Sequence, residues 1–111
     1  MAFRTDLDTL VLGVLHTGRL HGYEISKRIN AHGQEVFGIK EGQLYPILHR
    51  LENEGKIASE WVPQPGKPAR RVYALTENGR WELSRQREHW QQFVDSVNRL
   101  LTPMRPETTH G

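Results

Sequence analysis

From Gly42 to Thr76 the chain reads as a helix, a sharp stop and a hairpin, and that order constrains the fold more than any other feature. Leu44, Ile47, Leu48 and Leu51 recur at helical spacing, so one face is apolar, while Gln43, Pro46, His49, Arg50 and Asn53 occupy the other. The apolar face belongs to a core. Gly55 ends the helix by taking a left-handed conformation, and Lys56 with Ile57 leads into a strand. Trp61 and Val62, then Val72, Tyr73 and Leu75, are strand formers on either side of Pro63-Gln64-Pro65-Gly66-Lys67-Pro68. Three prolines at that tip predict an exposed, extended loop without regular pairing.

Two helices are expected upstream. Leu7, Leu10, Val11 and Val14 follow the i, i+3, i+4, i+7 rule, with Thr5 as a candidate N-cap and Gly18 as a stop. A second helix starts near His21-Gly22, carries Tyr23, Ile25 and Ile29, and ends at His32-Gly33. Gln34 to Ile39 links it to the third, with Phe37 and Ile39 packed beneath. Downstream, Thr76 caps a long helix with Glu77 in its first turn, where the helix dipole favours a carboxylate. Leu83, Trp90 and Val97 are a heptad apart on that helix, Val94 and Leu101 fill the intermediate positions, and Phe93 and Leu100 add to the stripe, which resembles a helix-pairing seam. A helix placed after the hairpin has little of its own domain left to cover, so its expected partner is another subunit. Thr102 to Gly111, with two prolines and few apolar residues, is expected to be a loose tail.

At 111 residues the chain is one small domain with a modest core, which oligomerisation would assist. It lacks cysteine, which excludes a disulfide framework and fits a reducing cytoplasm. The longest apolar run, Leu10 to Leu15, is far below membrane length, and Asp6 and Asp8 exclude a signal peptide. A net charge of +2 does not argue for nucleic acid, but its distribution does. No acidic residue lies between Glu60 and Glu77, whereas Lys67, Arg70 and Arg71 do. Carboxylates are expected away from that surface, at Glu52, Glu54 and Glu60 and along the last helix. Six histidines, His16, His21, His32 and His49 among them, lack the Cys or clustered carboxylates that would complete a metal site. Nor is there a phosphate loop, a nucleophile elbow or a carboxylate pair spaced for acid and base work, so no catalysis and no cofactor are expected.

Four stretches together resemble the PadR family of bacterial transcriptional regulators, in its short form with one C-terminal helix. They are Leu10-Val11-Leu12-Gly13-Val14-Leu15, His21-Gly22-Tyr23-Glu24-Ile25, Gly42 through Glu52, and Arg71-Val72-Tyr73-Ala74-Leu75-Thr76-Glu77-Asn78-Gly79-Arg80. The Tyr45-Pro46 pair makes the match specific. The third helix departs from the family's usual Ser or Thr start, reading Lys40-Glu41-Gly42-Gln43; a cap as early as Lys40 would put Pro46 in the second turn and bend the helix locally. The resemblance implies a mostly α fold with a small β-hairpin. Residues 1–76 would form a winged helix-turn-helix domain, 77–101 a dimerisation helix and 102–111 a flexible tail.

The implied function is a cytoplasmic, sequence-specific DNA-binding regulator: a repressor that binds an inverted-repeat operator as a homodimer. Candidate DNA contacts are Tyr23, Lys40, Gln43, Tyr45, His49, Lys67, Arg70 and Arg71. Gln43 and His49 could touch bases or phosphates, or form a solvated face. Tyr45 is expected with its ring packed and its hydroxyl outward. Tyr23 lies where such folds abut the DNA backbone, or in the core. Arg50 is read as an i, i+4 partner of Glu54. The dimer interface is expected at Leu83, Trp90, Phe93, Val94, Val97 and Leu101. Trp90 also matches the place where some short relatives hold a flat, often cationic, effector between symmetry-related rings, and Glu88 and Asp95 nearby would favour a cation. The competing reading is a protein-binding winged helix without specific DNA binding, which would need the C-terminal stripe but not the basic wing.

Overall fold

The computed structural model describes residues 7–31 and 38–103. Thr5, His32-Gly33, Phe37 and the tail from residue 104 lie outside that range. The elements run α1 (Leu7–Leu15), β1 (Leu20–His21), α2 (Gly22–Ala31), α3 (Glu41–Asn53), β2 (Ile57–Gln64), β3 (Lys67–Leu75) and α4 (Glu77–Leu101).

Three helices and a sheet close over one core. Val11, Leu12 and Leu15 come from α1, Ile25 and Ile29 from α2, and Leu44, Leu48 and Leu51 from α3, all buried. Ile57, Tyr73 and Leu75 roof them from the sheet. Each such side chain contributes roughly 1.5–3 kcal/mol when fully buried, so the leucine stripe of α3 anchors that helix by its inner face. Polar links fix the neighbours. Arg50 of α3 donates to Asp8 of α1 at 2.6 Å and to Glu54 at 3.4 Å. The Asn30 side-chain amide brackets Ile39, donating to its carbonyl and accepting from its N–H at 2.8 Å each, so the chain enters α3 at a fixed point. Ile39 is buried as expected.

The sheet has three strands in the order β1-β3-β2, all antiparallel. β1 has no counterpart in the sequence pattern: its two residues are too few for any period, yet Leu20 pairs with Tyr73 and His21 with Val72. The hairpin tip differs from the sequence expectation, because pairing reaches it, with Gln64 partnering Lys67. Pro65-Gly66, with Gly66 at φ +67°, makes the two-residue connection. The register passes from Val62↔Arg70 to Gln64↔Lys67, so Pro63 faces both Pro68 and Ala69. A bulge thus absorbs the two prolines that cannot donate to the ladder.

The start of α4 is locked to the end of α3. Gly55 leaves α3 at φ +77°, and Lys56 N–H donates to Leu51 O at 2.9 Å. The Thr76 hydroxyl donates to Gly55 O at 2.6 Å and accepts from Gly79 N–H at 3.0 Å, which makes Thr76 the N-cap. Gly79 passes so close to the Lys56 carbonyl that a Cβ there would lie 2.0 Å from its oxygen. Leu83, one turn on, is 4% exposed and belongs to the domain's own core, so it does not lie on the open part of the stripe. Beyond it α4 runs on with Trp90, Leu100 and Leu101 exposed. A 25-residue helix is about 37 Å long, more than the domain can cover.

Gly79→Ala should therefore destabilise the domain by about 2–3 kcal/mol, since the obstructing atom is backbone and cannot rotate away. Thermal melts by circular dichroism at matched concentration check this; an unchanged midpoint would mean the junction is looser than described.

Candidate nucleic-acid interface

With its leucines inward, α3 turns Gln43, Tyr45, Pro46 and His49 outward, all exposed. Lys40 is the N-cap, in extended conformation. Its N–H donates to Gln43 Oε1 at 3.0 Å, so the Gln43 side chain is a capping group of its own helix, a third role beside the DNA contact and the solvated face that the sequence allows. Pro46 does fall in the second turn, and lacking an N–H it cannot donate to the Gly42 carbonyl.

Three elements converge beside this helix. Tyr23, at the start of α2, is 54% exposed, which removes the core reading. Its ring stacks on His21 with centroids 6.3 Å apart, and Lys27 Nζ lies 5.8 Å from its centroid. Tyr45 reaches across from α3 to Gly22, where a Cβ would stand 2.8 Å from its hydroxyl oxygen. The hydroxyl is thus turned onto α2, not outward as expected. His21, Gly22, Tyr23, Tyr45, Trp61, Arg70, Arg71 and Tyr73 together line an open cleft of about 410 Å³ between α2, α3 and the hairpin.

The hairpin's two adjacent arginines do different things, because successive strand residues point to opposite faces. Arg71 is paired across the ladder with Trp61, and Ser59 with Tyr73, so these four share the face that carries buried Tyr73. There Arg71 Nε donates to Ser59 Oγ at 2.9 Å and Nη2 to Glu52 Oε1 of α3 at 3.2 Å. Ser59 in turn donates to Glu52 Oε2 at 2.7 Å. The guanidinium carbon sits 5.6 Å from the Trp61 centroid and 5.9 Å from that of Tyr73. Glu52 therefore lies under the hairpin, not away from it as its sequence position suggests. Burial pushes the Tyr73 phenol above its ordinary pKa, with the Arg71 charge opposing, so it stays neutral at neutral pH. Arg70, on the other face, and Lys67, at the tip, are exposed.

The cations sort by partner. Arg19 pairs with Glu60, Arg50 with Asp8 and Glu54, Lys56 with Glu54, Arg71 with Glu52, and Arg85 with Glu82. The hydrogen bond and charge of Asp8 hold Arg50 above its usual pKa, fixing it as a structural cation. Lys27, Lys40, Lys67 and Arg70 have no carboxylate partner among the described residues, and they lie on α2, at the cap of α3 and on the hairpin. Sequence reasoning misses Lys27, Trp61 and His21 as part of this face; the exposure of a strand tryptophan has no signature in spacing alone. No cluster of three metal-ligating side chains occurs among the described residues, and no described helix is long and apolar enough to cross a membrane.

Comparison with known proteins agrees with this geometry. Residues 11–85 match the model of the transcriptional regulator PadR-like family. The negative transcriptional regulator PadR of Bacillus subtilis is 34% identical over 73 residues, 66% of this chain and 40% of that protein, so the chain spans less than half of that relative. A transcriptional regulator of Mycobacterium tuberculosis is 36% identical over 89 residues, covering 78% of this chain and 79% of that one. Among solved structures, a PadR-like regulator from Bacillus cereus superposes with a TM-score of 0.78 at 30% identity, over 88% of this chain and 93% of that chain. Bacillus subtilis PadR in complex with operator DNA superposes with a TM-score of 0.65 at 33% identity, over 70% of this chain and 44% of that chain.

Proposed function

The chain belongs to the transcriptional regulator PadR-like family, a family of regulators and not of enzymes, and we propose that it is a cytoplasmic repressor that binds an inverted-repeat operator as a homodimer. The observation that carries this reading is that Lys27 on α2, Lys40 at the cap of α3, and Lys67 and Arg70 on the hairpin have no carboxylate partner among the described residues. Arg19, Arg50 and Arg85 are neutralised within the fold, whereas these four can exchange counterions for phosphates; Arg28, Arg80, Arg87 and Arg99, likewise without a carboxylate partner among the described residues, lie on α2 and α4. Tyr23 and His49 complete the face; Gln43 acts through the cap it forms, and Arg71 through its bonds within the fold. Bacillus subtilis PadR, solved in complex with operator DNA, supports duplex DNA as the partner.

For the dimer, the support is the α4 stripe beyond Leu83, with Trp90 and Leu101 exposed and Phe93, Val94 and Val97 half-buried beside them. Pairing α4 about a twofold would set the two recognition helices roughly 34 Å apart, one turn of duplex. Trp90 is 42% exposed and tilted against Phe93 at 5.7 Å, so a symmetry mate would supply the second face for a planar aromatic or cationic effector. Such a ligand alters DNA affinity only by binding two dimer geometries unequally.

Replacing both Lys67 and Arg70 with Ala should weaken selected and random duplexes alike and flatten the plot of log affinity against log salt by about 0.9 for each phosphate no longer neutralised. An unchanged slope would take the hairpin out of the DNA interface and favour the protein-binding alternative. Val97→Asp should yield monomer by light scattering and abolish the tryptophan quenching that planar cationic dyes cause in wild type. A stable dimer in that variant would place the interface elsewhere, and quenching that persisted in a monomer would remove the paired-ring site.

A further inference from the structure

We propose that Arg71 is a positioning residue for operator selection, a strut that sets the hairpin against the recognition helix, and not a ligand of DNA phosphate. The inference rests on the DNA-binding reading above and deepens it.

The hairpin and α3 are joined along the chain only through Glu54, Gly55 and Lys56, and the hairpin's distal half carries no buried residue to hold it in place. Arg71 supplies the tie at that height. Its guanidinium bonds Ser59 on β2 and Glu52 on α3, while Ser59 bonds the same carboxylate, closing a three-membered ring of hydrogen bonds across three elements. Trp61 and Tyr73 lie 5.6 and 5.9 Å from the guanidinium carbon and limit its swing. One ion pair with side chains 42% and 27% exposed would do little. Two hydrogen-bond partners and two flanking rings around a single planar group fix an orientation, for which the guanidinium fork is suited. The charge it would offer a phosphate is already met by Glu52. Arg70, on the opposite face without a carboxylate partner among the described residues, is free for that role.

Strut and phosphate ligand predict opposite signs for one substitution. Were Arg71 a phosphate ligand, Glu52→Ala would release it and remove a negative charge from the DNA-binding face, tightening binding. As a strut partner, Glu52→Ala must weaken operator binding. The experiment measures affinity for a duplex selected from a random pool by the wild-type protein, and for a scrambled duplex, by fluorescence anisotropy at several salt concentrations. Arg71→Ala, Glu52→Ala and the double variant are compared, with melting curves as the control for folding. The expected result is a roughly tenfold loss on the selected duplex for each single variant, little change on the scrambled one, a wild-type salt slope, and a double variant no worse than the weaker single. Tighter binding by Glu52→Ala, or a slope flattened by about 0.9 in Arg71→Ala, would overturn the strut. Should Arg71→Ala fail to fold, the sign of the Glu52→Ala effect decides alone. Wild type that bound neither duplex would remove the DNA-binding reading, and the strut's role with it.

Discussion

The seat of α3 is the constraint on which the rest depends. Leu44, Leu48 and Leu51, each at most 1% exposed, commit that helix to one rotation about its axis. A quarter turn would bury His49 or expose a leucine, and either costs on the order of the burial of one side chain. Once the rotation is set, the outward residues follow, and the surrounding elements act as devices that hold the helix in place. Asp8 holds Arg50 from one side, Asn30 fixes the entry at Ile39, and the Thr76 hydroxyl fastens the exit at Gly55. On the DNA-binding reading, α3 needs this rigidity because base edges reward only side chains that arrive already placed.

The same economy explains α4. Its first two turns are consumed by the domain: Gly79 against Lys56 and Leu83 in the core. The later turns carry Trp90, Phe93, Val94, Val97, Leu100 and Leu101, of which Trp90, Leu100 and Leu101 are exposed. An apolar stripe on a rigid extension sets a distance, and on the twofold reading that distance becomes the spacing of two recognition helices. Rigidity at the Thr76 cap is then what would couple events near Trp90 to DNA.

What is legible in the sequence is what is local. Helical period, the Thr76 cap and the Gly55 stop each involve residues within a few positions of one another, and each is found where expected. β1 escapes because two residues have no period, and only the partner strand reveals it. The hairpin tip misleads because three prolines read as breakers, whereas a bulge accommodates Pro63 and Pro68 and the turn uses Pro65. Leu83 sits in heptad register with Trp90 and so looks like seam; register cannot say where a helix leaves its own domain. For Arg71, the alternation of strand faces separates it from Arg70 in principle, but its partners Glu52 and Ser59 come from other elements, 19 and 12 residues away. Tyr23 and Lys27 form part of the face for the same reason: tertiary packing brings α2 beside the hairpin.

On this reading one rigid face, built from α2, α3 and the hairpin, meets duplex DNA while α4 stays clear of it. Amide chemical-shift mapping separates the two surfaces, by titrating isotopically labelled protein with a duplex selected from a random pool. Shifts should concentrate at Tyr23 to Lys27, Lys40 to His49 and Lys67 to Arg70, with the turns of α4 from Ser84 onward unmoved on a duplex too short to bend. Shifts centred on Trp90 to Leu101, with α3 silent, would contradict the reading.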